Sequence, residues 1–70
     1  MKYLIIPEQT QTGFSAYSPD LDGCVAAGET RDETIALMQE AIEFHLEGLA
    51  ADGYPLPTSL SEAAVVEVGV

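Results

Sequence analysis

One stretch limits the possible folds more than any other. Thr30-Arg31-Asp32-Glu33 fits a capping box, in which the Thr30 hydroxyl accepts from the Glu33 N–H and the Glu33 carboxylate accepts from that of Thr30. Asp32 and Glu33 also place negative charge at the positive end of the helix dipole. From there Ile35, Met38, Ile42, Leu46 and Leu49 recur at spacings of three or four, with Leu37, Ala41 and Phe44 widening the apolar stripe. Asp52-Gly53 supplies a stop, and Tyr54-Pro55-Leu56-Pro57 forces an extended segment after it. The chain therefore carries one long helix with one face to bury. Ala36, Glu40, Glu43 and Glu47 line the opposite face with no Lys or Arg among them. Like charges four apart cost an isolated helix a few tenths of a kcal/mol, roughly, so packing of the stripe has to hold it.

The flanking segments read as strands. Residues 2–8 are rich in β-branched and aromatic side chains and run into Gln9-Thr10-Gln11-Thr12-Gly13, which is turn chemistry. Phe14-Ser15-Ala16-Tyr17-Ser18 alternates with period two, one face for a core and one for water. Pro19-Asp20-Leu21-Asp22-Gly23 predicts a turn, with both aspartates bonding local backbone and glycine accepting positive φ. Cys24-Val25-Ala26-Ala27 predicts a third strand ended by Gly28, and residues 63–68 a last one. The expected fold is α+β in the order β-β-β-α-β, a single domain over residues 1–70. In the simplest topology the first strand is central, antiparallel to the second and parallel to the fourth, with the helix as a right-handed crossover on one face. One helix covers one face of such a sheet, so the other face is either polar or covered by another subunit.

Size and charge narrow the function. A chain of 70 residues builds one small core, and the usual supports at that size are disulfides, a metal or oligomerisation. A lone Cys24 removes the first, which makes self-association the expectation. Twelve acidic residues against Lys2 and Arg31 give a formal charge of −10. Affinity for phosphate comes mostly from cations that displace counterions, so direct nucleic-acid binding is excluded, as is docking on an anionic membrane. No segment approaches a membrane span, and Tyr3-Leu4-Ile5-Ile6 stops at Pro7, short of a signal-peptide core. A reducing cytoplasm is the expected compartment.

The chain carries little that catalytic chemistry needs. Cys24 has no local positive charge to make a thiolate and reads as an inert buried thiol. His45 falls at the edge of the apolar stripe, a core or interface position with a backbone partner, and a lone histidine makes a poor zinc site. Met38 and Phe44 read as core filling. Asp20, Asp22 and Glu29 could be assembled into a residual metal nuclease, but two turn aspartates bonding backbone explain the same residues and the EF-hand pattern is missing. No enzyme activity, metal or cofactor is expected. The acidic helix face is either a solvated surface or a dock for a basic protein.

Several separated motifs in this chain resemble one family. Tyr17-Ser18-Pro19-Asp20-Leu21-Asp22-Gly23-Cys24, the following Gly28-Glu29-Thr30 turn into the helix, Glu40-Ala41-Ile42-Glu43-Phe44-His45-Leu46 and Gly53-Tyr54-Pro55-Leu56-Pro57 are similar to the pattern of the HicB-like antitoxins. The resemblance spans nearly the whole chain. It implies a degenerate, partial ribonuclease-H-like fold and an antitoxin that masks HicA, a small basic toxin with a double-stranded-RNA-binding-like fold that cleaves messenger RNA. Ribonucleases H hold metal with carboxylates beginning on the first strand, and Lys2-Tyr3-Leu4-Ile5-Ile6 contains no acid, so the nuclease site is not expected here. Many family members continue into a DNA-binding domain, which is not expected in this chain. The expected partner contacts are Asp20 and Asp22 on the turn and Glu40, Glu43 and Glu47 on the helix. The alternative is a stand-alone homo-oligomeric structural or ligand-sensing module with no toxin partner.

Overall fold

Period-two alternation decides the sheet. In a computed structural model, which describes residues 1–70, the chain forms β1 (Ile6–Gln9), β2 (Phe14–Ser18), β3 (Leu21–Gly28) and α1 (Arg31–Ala51). All three strands pair antiparallel in the order β1-β2-β3. The paired rows separate two faces: Pro7, Ala16 and Ala26 share the face under the helix, and Ile6, Tyr17 and Val25 share the open one. Small side chains at Ala16 and Ala26 let the helix lie close to the strands.

The helix ends where its caps place it. The Glu33 N–H donates to Thr30 Oγ1 at 3.1 Å, and the Thr34 hydroxyl donates to the Thr30 carbonyl at 2.7 Å, which satisfies a buried polar group. The reciprocal bond from the Glu33 carboxylate is not formed. At the other end Gly53 takes φ +77°, its N–H donates to the Ala50 carbonyl at 3.1 Å, and the Tyr54 N–H donates to that of Leu49 at 2.9 Å, the Schellman pattern that satisfies the last carbonyls.

Several expectations change. The first strand, expected over residues 2–8, is confined to Ile6–Gln9. Strand β1 is an edge and β2 is central, so the meander lacks a neighbour on the outer side of β1. Residues 63–68, expected as a strand parallel to the first, form no strand in the single chain; they are exposed, with no ladder to receive their backbone groups. Strand β3 begins at Leu21 rather than Cys24, so the expected turn is confined to Pro19 and Asp20 and its later residues join the strand. Tyr17 faces Val25 while Ser18 faces Leu21, an irregularity accommodated by Gly23 at φ +76°, and it lets Leu21 and Cys24, three apart, both turn inward.

The core is small. Ala16, Leu21, Cys24 and Met38 are buried, with Tyr3, Ile5, Ala26, Ala41, Ile42 and Leu46 packed against them. Met38 bears out its core reading; Phe44 overturns its own, because it stands 79% exposed on the side of the helix. Residues 54–70 contain no helix or strand, and two contacts hold their first half: the Tyr3 hydroxyl donates to the Pro57 carbonyl at 2.6 Å, and Asp20 binds residues 60 and 61.

Candidate functional site: an acidic helix face with an aromatic anchor

Helical geometry, 100° per residue, sorts α1 into flanks. Thr34, Met38, Ala41 and His45 turn toward the sheet, and all are buried or half-buried. Leu37, Glu40, Phe44 and Glu47 fall together on a side flank that runs round toward the face away from the sheet, three or four apart, and all four are exposed. Glu43 lies between that flank and the next, with its Oε1 accepting from Gln39 Nε2 at 3.3 Å. The only ion pair in the chain is the exposed Arg31–Asp32 contact at 4.0 Å, so Glu40, Glu43 and Glu47 make none, although Lys2 lines the same groove as Glu43. An exposed phenylalanine flanked by the unpaired carboxylates of Glu40 and Glu47 is an apolar anchor inside a field that attracts cations.

The turn acids have separate positions. Asp22 is exposed at the start of β3. Asp20 uses its carboxylate inside the chain: Oδ2 accepts from the Leu60 N–H at 3.2 Å and the Ser61 N–H at 3.0 Å, and Oδ1 from the Ser61 hydroxyl at 3.0 Å. The Ser61 amide, more than any other contact, holds this carboxyl below its ordinary value of 3.8, against the opposing pull of burial. No hydrogen bond or ion pair links the turn to the helix acids.

Other candidate groups take structural positions. Cys24 is a buried free thiol, and burial pushes it above its ordinary value. His45 is half-buried and makes no hydrogen bond within the chain, so its expected backbone partner is not found. Side chains of His, Cys, Asp and Glu do not gather into any group of three that could hold a metal ion. No helix is long and apolar enough to cross a membrane.

Leu37 and Phe44 were missed as surface residues because they extend the apolar stripe. Their spacing to Glu40 and Glu47 was the available signal.

Residues 3–68 match the family described as HicB-like antitoxin of bacterial toxin-antitoxin systems. The chain belongs to that family. Among relatives of these HicB-like sequences, it is 32% identical over 69 residues to Antitoxin HicB 2 of Photorhabdus laumondii, covering 97% of this chain and 50% of that protein. It is 41% identical over 59 residues to a 14.9 kDa protein from the rep-hol intergenic region of Haemophilus phage HP1, covering 84% of this chain and 44% of that one. The chain thus spans about half the length of these two relatives. A chain of a solved HicA3 and HicB3 toxin-antitoxin complex superposes with a TM-score of 0.71 at 38% identity, over 86% of this chain and 70% of that one.

Proposed function

We propose that this chain is a toxin-binding antitoxin domain that masks a small, basic, HicA-like messenger-RNA-cleaving toxin in the cytoplasm, without catalysis or cofactor of its own. The likeness to a chain of the HicA3 and HicB3 complex carries this reading. The contact surface is the outer flank of α1, where Leu37 and Phe44 bury on binding and Glu40, Glu43 and Glu47 meet basic side chains. Asp22 on the turn extends the acidic rim; Asp20 serves there by holding the C-terminal segment in place. A fourth strand from residues 63–68, parallel to β1, completes the partial ribonuclease-H-like sheet in the assembled state.

Binding to a HicA-like protein, followed by calorimetry together with protection of messenger RNA, tests the reading. Phe44→Ala is expected to weaken binding at least about tenfold, a hot-spot loss of about 1.4 kcal/mol or more. Full affinity and full protection with Phe44→Ala remove this surface from the proposal.

A second reading, a homo-oligomeric module with no toxin, draws on the open sheet face, where Tyr17 is 40% and Val25 67% exposed in one cross-strand row. A search for binding to basic ribonucleases of this class that finds none would favour it.

A further inference from the structure

Both edges of the sheet are open, and they are unlike. Strand β1 has four residues, among them Pro7, which has no N–H to give an incoming strand. Lys2 stands on that side, in the groove that Tyr3 and Ile5 form with Ile35, Ile42 and Leu46 of α1. Strand β3 has eight residues and no proline. Its regular pairing with β2 runs from Val25 to Gly28, and Gly23 at φ +76° bends the strand beyond that stretch.

The outward backbone groups of β3 are those of Val25 and Ala27. The Gly28 carbonyl points toward β2, since a Cβ on Gly13 would press on its oxygen. Backbone groups alternate in direction along an antiparallel strand, so the N–H and C=O groups of Val25 and Ala27 point out of the edge, where no strand receives them.

The helix makes this edge a recess. It turns back directly after β3 and packs on that strand more closely than on the other two. Ile35, Ile42 and Leu46 face the β1 side, so Leu37 and Phe44, about half a turn round the helix from them, overhang the β3 edge. Ala26 and Gly28, on the helix side of β3, are small, which leaves larger side chains of a neighbouring strand free to reach Leu37 and Phe44. Charge is gathered here as well. Asp22 and Glu29 bracket the regular stretch, and Glu40 and Glu47 lie beside Phe44, all exposed. Neither Lys2, on the β1 side, nor Arg31, in contact with Asp32, pairs with them.

We infer that a basic partner docks on this edge by strand addition. One of its strands pairs with Val25–Gly28, sets apolar side chains against Leu37 and Phe44, and places its cations among Asp22, Glu29, Glu40 and Glu47. The inference rests on the toxin-binding reading and adds to it the element that the toxin supplies. Main-chain hydrogen bonds carry the affinity, and the overhanging side chains fix which face of the added strand turns toward α1.

Hydrogen exchange followed residue by residue by NMR tests it, on the full chain alone and mixed with a HicA-like protein. Exchange at the Val25 and Ala27 amides, fast in the free chain, is expected to slow by at least about tenfold on binding. Ala27→Pro removes one outward N–H and leaves the ladder to β2 intact; it should weaken binding by at least about tenfold, while Ala27→Ser binds as the parent does. If Ala27→Pro does not fold, exchange in the unaltered chain decides. A complex in which Val25 and Ala27 exchange as fast as in the free chain overturns strand addition and leaves toxin binding standing. Failure of the HicA-like protein to bind at all overturns both. Amides already protected in the free chain, and more so as its concentration rises, would put a second copy on the edge and overturn the proposal as well.

Discussion

Asp20 and Ser61 lie forty-one positions apart and meet through two hydrogen bonds of 3.0 Å, one from the Ser61 amide and one from its hydroxyl, each to a different carboxylate oxygen. This clamp connects the β2–β3 turn to the segment after the helix. An ionised carboxylate is its acceptor, which makes the clamp sensitive to acid.

The pH dependence has a definite sign. Asp20 is held below its ordinary value of 3.8 in the folded chain, so the clamp is fully present above that value and is lost as pH falls below it through the folded value. Amide exchange at Leu60 and Ser61 should accelerate in that acid range. Asp20→Asn should accelerate it by about tenfold at neutral pH, with little change in exchange across α1. Equal exchange in the variant and the parent would show that the clamp does not hold the segment.

Met38 and Phe44 should separate stability from binding. Met38 has no exposed surface, and Met38→Ala is expected to cost about 2–5 kcal/mol in urea denaturation, enough to unfold a domain this small. Phe44→Ala should leave the unfolding midpoint within about 0.5 kcal/mol of the parent. A large loss of stability at Phe44 would mean that it is covered in the free protein.

Charge reversal at Glu43 addresses the encounter with a basic partner. Glu43→Lys should slow association and flatten its salt dependence with little effect on dissociation, as peripheral charges do. Stopped-flow association at low salt is the measurement, and an unchanged rate there rules out Glu43 as a steering charge.

Gly13 and Gly23 should respond for different reasons. A Cβ on Gly13 would press on the Gly28 carbonyl oxygen and the backbone of Glu29, so Gly13→Ala should destabilise by about 1–3 kcal/mol through steric crowding. Gly23 has open space around it but sits at φ +76°, so Gly23→Ala should cost about 1 kcal/mol or more through backbone conformation alone. Gly23→Asn, a residue that tolerates that region, should recover part of the loss. Thermal unfolding of the three variants distinguishes the two mechanisms.

What the sequence by itself determined is the part governed by neighbours a few positions apart. The cap at Thr30, the stop at Gly53 and the alternation through β2 are short-range chemistry, and the expected helix and second strand appear where those residues put them. Two of the family motifs, at Gly28–Thr30 and at Gly53–Pro57, were legible for the same reason, since they lie at the ends of the helix. Tertiary structure decided the rest. A stripe as wide as that of α1 names the residues that share a flank, but only the width and order of the sheet decide which flank is covered, leaving Phe44 in solvent while Met38 is buried. Asp20 carried turn chemistry toward its own neighbours, yet its carboxylate found an amide and a hydroxyl at Ser61. No local rule reaches forty-one residues, because such pairs exist only after the strands have set the ends of the chain side by side.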